Sequence, residues 1–124
     1  MNVPNGLLYT SEHEWVKLDG DIATIGITDY AQSQLGDVVF VELPQVGAAT
    51  TQMQIFGTIE AVKTVSDLFA PVSGAVTEVN GKLADKPELI NQDCYGEGWM
   101  IKVKVSGATT GLLSPEEYRQ KVAE

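Results

Sequence analysis

Cysteine is almost missing from this chain: Cys94 is the only one in 124 residues. A single thiol cannot form an intrachain disulfide, nor can it build a cysteine-based zinc site, so a reducing compartment is expected. Histidine is as scarce, with His13 alone. No serine or cysteine nucleophile with a third orienting group is recognisable, and His13-Glu14 lacks the second histidine of a zinc-protease helix. General-base catalysis and a metal site are therefore not expected. Positive charge is short too: 8 Lys and Arg face 17 Asp and Glu, a net charge of −9. This balance opposes phosphate binding, which excludes nucleic acid as an expected partner and favours partners with basic patches. No apolar run approaches the roughly 20 residues of a membrane span, and Met1 to Asn5 lacks the basic start and apolar core of a secretory signal. A soluble, intracellular protein without a membrane partner is expected.

What is present suits a single domain spanning residues 1–124. With 44% hydrophobic residues, a chain of this length can bury roughly two-thirds of its unfolded surface in one core. Short strands alternate with turn signals. Glu14-Trp15-Val16-Lys17-Leu18 and Ile22-Ala23-Thr24-Ile25-Gly26-Ile27 flank an Asp-Gly hairpin signal at Asp19-Gly20-Asp21. Thr28 is an N-cap with Asp29 behind it, and Gly36 stops the helical turns that follow. In Val38-Val39-Phe40-Val41 the apolar residues are consecutive, as in a strand covered on both faces, and Pro44 and Gly47 end it. Ala48 to Gln54 reads as a loose polar stretch. Strands are expected again over Ala75–Asn80 and Trp99–Val105, with a helical turn at Pro87–Asn91 between them. Ser114-Pro115-Glu116-Glu117 opens a short C-terminal helix. Trp15, Phe40, Phe69 and Trp99 are read as core or cleft walls, and Cys94 as a small loop or core residue.

The middle of the chain holds one isolated base. Lys63 is the only Lys or Arg between Lys17 and Lys82. Ile55, Ile59 and Val62 lie at helical spacing, but the β-branched Ile59, Val62, Thr64 and Val65, the weakening Gly57 and the lack of caps argue for a hairpin over about 55–72. The turn at Val62-Lys63 lacks Asn-Gly, so a type I or longer turn is expected. Lys63 then stands at the tip, pointing away from the body. Two readings of such a lysine are open: a solvated turn residue, or an amine displayed for acylation, which deletes its charge.

A resemblance narrows the choice. Ile59-Glu60-Ala61-Val62-Lys63, with Ser66-Asp67, Ala70-Pro71-Val72-Ser73-Gly74 and Val79-Asn80, resembles the lipoyl-attachment region of the glycine cleavage system H proteins. His13-Glu14-Trp15-Val16, Gly26-Ile27-Thr28, Leu35-Gly36-Asp37-Val38-Val39-Phe40-Val41, Leu43-Pro44, Pro87-Glu88-Leu89-Ile90-Asn91 and Gly98-Trp99-Met100 match in the same order. The likeness implies a mainly β, lipoyl/biotinyl-type barrel-sandwich hybrid with small peripheral helices and a short C-terminal helix. It implies lipoate joined by an amide bond to Lys63. Glu60 and Gly74 match positions that resemble recognition elements for the lipoyl-attaching enzymes; a solvated carboxylate and a turn glycine are the structural alternatives. Glu14 and Asp67 match the family's polar cleft, where the cationic amine of the cargo meets carboxylate; for Asp67 a turn-forming role competes.

By the same resemblance the protein is a carrier and not an enzyme. Its lipoyl arm takes an aminomethyl group from glycine decarboxylase, delivers it to the aminomethyltransferase, and is reoxidised by dihydrolipoamide dehydrogenase. A bacterial cytoplasmic monomer is expected, or a mitochondrial matrix protein if the chain is a mature eukaryotic form. Ala61 and Thr64 stand where serine and alanine are usual, and Met53 stands at a common glycine position. These departures keep an H-like paralogue acting in lipoyl relay or redox regulation in view. A biotin carrier is the other carrier reading, but that family resembles Met-Lys-Met where this chain has Val62-Lys63-Thr64. An unmodified β scaffold or hydrolase completes the alternatives.

Overall fold

The computed structural model describes residues 2–107 and 109–123. These residues form two antiparallel sheets and four short helices. The larger sheet contains β1 (Leu8–Tyr9), β2 (Glu14–Asp19), β3 (Ile22–Ile27), β5 (Ala49–Thr50), β8 (Gly74–Val79) and β9 (Ile101–Val105), in the order β1-β2-β3-β9-β8-β5. The smaller one is β4 (Val38–Glu42), β6 (Ile55–Ala61) and β7 (Val65–Phe69), in the order β4-β6-β7. Together they make the barrel-sandwich arrangement expected from the sequence. The helices are α1 (Asp29–Leu35), α2 (Lys82–Asp85), α3 (Leu89–Gln92) and α4 (Pro115–Val122).

Local chemistry sets most boundaries. Asp19 pairs with Ile22 across the tight turn, where Gly20 takes a positive φ of 65° that a side chain would resist. Thr28 caps α1 by accepting the Ala31 N–H at 3.1 Å, and Ser114 forms a reciprocal capping box with Glu117 at α4. Val16, Ile25, Ile101 and Val103 from one sheet meet Ile59 and Leu68 from the other in the main core. Each such side chain, fully removed from water, contributes about 1.5–3 kcal/mol. A second cluster joins Tyr9, Trp15 and Tyr118, with the Tyr9 and Tyr118 rings stacked at 4.7 Å, and so holds α4 against β1. Cys94 is buried beside it. Its carbonyl accepts the Trp15 indole N–H at 3.0 Å, and burial pushes its thiol up to about 12.

The structure differs from the sequence reading at four places. Val38–Val41 is not covered on both faces: the register shifts between Val38 and Phe40, and this bulge turns out both Val39 (47% exposed) and Phe40 (53%). Phe40 is therefore neither core nor cleft wall. The polar stretch after Gly47 contains β5, whose Ala49 and Thr50 pair with Ala75 and Gly74. Helix α2 follows Gly81 without a side-chain cap and left no sequence signal. Finally, β9 begins at Ile101 and not at Trp99, whose half-buried ring lies under the Lys102 ammonium at 5.1 Å.

Candidate functional site: an exposed lysine turn beside an acidic cleft

Strands β6 and β7 form the expected hairpin, with Glu60 opposite Val65 as the last strand pair. Ala61 N–H donates to the Thr64 carbonyl at 2.8 Å, closing a tight turn over Val62 and Lys63. Among the described non-glycine residues only His13 and Met53 have positive φ, so this turn is not of the primed kind usual in two-residue hairpins. Its position is fixed from outside: the Val62 N–H donates to the Asp37 carbonyl at 3.0 Å. Lys63 is exposed. Its stem leans back along the C-terminal end of α1, with Cε 3.5 Å from where a β-carbon on Gly36 would stand. The ion pairs among the described residues are Lys82–Glu97 and Lys102–Glu78, so the Lys63 amine has no carboxylate partner among the described residues.

A cleft of about 180 Å³ opens between α1 and β7. Leu35 and Phe69 give it apolar wall, and Glu12, Glu14 and Asp67 give it carboxylate. Leu35 adjoins Gly36, and β7 runs from the lysine turn into the cleft, so Lys63 stands at one end of it. Three residues separate Lys63 from Asp67, and the last two of them, Val65 and Ser66, belong to β7. Asp67 is exposed and paired with Thr58 in mid-strand, which rules out the turn-forming alternative.

Glu14 is the unusual member of this group, at 1% exposure. Its Oε1 accepts the Thr10 hydroxyl at 2.5 Å and its Oε2 accepts the Phe69 N–H at 3.1 Å. The Thr10 oxygen in turn accepts the N–H groups of Glu12 and Glu14 at 3.2 and 3.1 Å. Burial dominates these bonds and raises the Glu14 carboxyl to about 7. Beside it, His13 holds a positive φ of 73°. Its Nδ1 is 2.8 Å from the Tyr118 hydroxyl, which lies 2.7 Å from the Thr28 hydroxyl. The imidazole is thus part of a structural chain linking α4 to the cleft wall, and burial lowers its pKa.

Glu60 lies exposed on β6, three residues before Lys63 on the same hairpin. Gly74 belongs to the other sheet, where a β-carbon would overlap the Lys104 carbonyl oxygen. The structure therefore groups Lys63, Glu60, Asp67 and Glu14 around one hairpin and cleft, while Gly74 has a packing reason of its own. Met53 has φ 65°, the left-handed conformation that explains why glycine would suit this turn. Ala61 is buried at 4% exposure, so the serine hydroxyl it lacks would need an internal partner there.

Comparison with known proteins matches this frame along its length. The model of the family described as "Glycine cleavage H-protein" covers residues 7–124. The chain belongs to this family. The glycine cleavage system H protein of Rubrobacter xylanophilus is 57% identical over 122 residues, covering 98% of this chain and 96% of that one. That of Bacteroides fragilis is 54% identical over 124 residues, with 98% of each chain covered. A crystal structure of the H protein from Mycobacterium marinum superposes with a TM-score of 0.92 at 40% identity, covering 98% of this chain and 99% of that one.

Within the family frame, Phe69 lines the cleft as one of the two places read for it, while sequence reasoning missed Glu12, Tyr30 and Gln34 as cleft residues. Glu12 and Gln34 carried no pattern. The only available signal was α1 itself: residues 30, 31, 34 and 35 share one helical face, and that face lines the cleft. A larger surface hollow of about 360 Å³ between α2 and α3, bordered by Lys82, Lys86 and Glu97, shares no residue with the hairpin.

Proposed function

We propose that this chain is the lipoyl carrier of a glycine cleavage system, acting as a single domain with lipoate joined by an amide bond to Lys63. The observation that carries the reading is the amine of Lys63, without an ion-pair partner among the described residues, on an exposed turn at the end of a cleft with both apolar and carboxylate walls. That lining fits the group: Leu35 and Phe69 suit an alkyl arm, while Asp67 and Glu14 suit a cationic amine at its end. When bound, the lipoyl group supplies a dithiolane that undergoes reversible thiol–disulfide chemistry with the enzymes of the system. The chain's own residues hold and shelter the arm and carry out no bond making, so the protein is a carrier and not a catalyst.

The finer assignments follow from the same frame. Glycine decarboxylase, the aminomethyltransferase and dihydrolipoamide dehydrogenase are the proposed partners, each met transiently by a monomer in the bacterial cytoplasm. Glu60 and Gly74 are the proposed features read by the lipoyl-attaching enzymes. Val39, Phe40, Val62 and Val65 are exposed around Glu60 and the turn, an apolar patch suited to enzymes that must cover Lys63. The test is intact mass of the native protein, with Lys63→Arg as control. One lipoyl amide on the wild type, and none on the variant together with loss of glycine–bicarbonate exchange, is expected; an unmodified native lysine defeats the assignment.

A further inference from the structure

The lysine turn is held in place by a chain of hydrogen bonds that begins far from it in sequence. Val62-Lys63 is not a turn that fixes itself. It lacks Asn-Gly and the primed geometry that matches strand twist. Its external support is the bond from the Val62 N–H to the Asp37 carbonyl, 3.0 Å. Asp37 lies in the short connection between α1 and β4, and its side chain is exposed.

The residues on either side of Asp37 are held by one side chain. Asn91 Nδ2 donates to the Gly36 carbonyl at 2.8 Å and to Gln32 Oε1 at 3.0 Å. Its Oδ1 accepts the Val38 N–H at 2.9 Å. One amide thus uses both donor hydrogens and its acceptor to clamp residues 36 and 38, leaving the carbonyl between them aimed at the turn. The clamp is itself rigid. Asn91 sits on α3 next to Ile90, which is fully buried in the main core. The last carbonyls of a helix have no partner within it, and Asn91 supplies one at α1.

We propose that Asn91 is a positioning residue for Lys63: through Gly36, Asp37 and Val38 it sets where the lysine turn stands. The proposal rests on the reading of Lys63 as the attachment site. Without the clamp the turn still forms but samples other placements. An enzyme that requires one placement then meets a smaller competent population, which raises the apparent KM and leaves kcat nearly unchanged.

The experiment compares wild type, Asn91→Ala and Asn91→Asp, the last keeping the acceptor for Val38 N–H while losing both donors. Ile101→Val, a core change in the other sheet, controls for general loss of stability. Two quantities are measured: amide hydrogen exchange at Val62, and steady-state lipoyl transfer to Lys63 by a lipoate ligase. In Asn91→Ala, exchange at Val62 is expected to speed up about tenfold, with a rise in KM of similar size, and Asn91→Asp is expected to fall between it and wild type. If Asn91→Ala fails to fold, Asn91→Asp alone carries the comparison. Exchange and KM that match Ile101→Val in both Asn91 variants overturn the clamp. If wild-type Lys63 accepts no lipoyl group, the reading above falls, and exchange at Val62 decides the clamp by itself.

Discussion

The carboxylate of Glu14 accepts the backbone N–H of Phe69 at 3.1 Å, so a residue at the start of one sheet holds the edge strand of the other. That strand leads back to the lysine turn. Burial of the same carboxyl gives the molecule a pH dependence: it outweighs the lowering pull of this bond and raises the pKa from the usual 4.5 to about 7. An acid whose pKa is raised by folding favours the folded state below its unfolded value. This contribution is lost as pH climbs through the folded value. Stability is therefore expected to fall between about pH 4.5 and 7 by an amount on the order of 3 kcal/mol for this group. Chemical denaturation at several pH values should show the slope, and Glu14→Gln should flatten it.

Tyr118 joins three elements through one hydroxyl. Its oxygen lies 2.8 Å from His13 Nδ1 and 2.7 Å from the Thr28 hydroxyl, while its ring stacks on Tyr9. Tyr118→Phe keeps the stack and leaves the buried Thr28 hydroxyl and the half-buried His13 imidazole short of a partner. A loss of about 1–3 kcal/mol is expected from the denaturation midpoint. A variant as stable as wild type would mean that water replaces the hydroxyl.

Met53 is exposed at 40% and has a φ of 65°, so little packing offsets its left-handed backbone. Met53→Gly removes that conformational cost but frees the unfolded chain. The balance favours the variant by about 0.5–1 kcal/mol. Thermal unfolding should show a higher midpoint for Met53→Gly and a lower one for a β-branched Met53→Val.

Gly74 gives the opposite case. A β-carbon there would overlap the Lys104 carbonyl oxygen and approach Val103 Cγ1 at 2.8 Å. Gly74→Ala must push β8 and β9 apart, at a cost of about 1–3 kcal/mol. Lipoyl transfer to the folded fraction of this variant separates the two roles: a rate equal to wild type leaves Gly74 a packing residue, and a slower one supports recognition.

Much of this was legible in the sequence because it depends on nearby residues. The Asp19-Gly20 turn, the Thr28 and Ser114 caps and the alternation in β3 and β9 are local facts, and the structure keeps them. The hairpin also needed only its own β-branched residues. The bulge at Val39 was not legible, since it exists only against Ala61 and Glu60 of a partner strand about twenty residues away. Four apolar letters in a row look the same whether a strand is covered twice or kinked outward. Strand β5 is two residues long, too short for any period, and is specified by β8 alone. In the cleft, Glu14 was found through resemblance, but its burial and its bond to Phe69 depend on how the two sheets meet. Asn91 looked like the end of a helical turn, and its three bonds to Gln32, Gly36 and Val38 are visible only in the fold.

The burial of Cys94 has a consequence for a molecule that would carry its own disulfide ring. Only a thiolate attacks a disulfide, and burial holds this thiol protonated, its pKa pushed up to about 12. If lipoate is joined to Lys63 as proposed, its dithiolane can travel over its own host without being captured by it. The scaffold is electrically busy at its surface and chemically silent in its sulfur, so any electrons carried by the arm are left for its partners to collect.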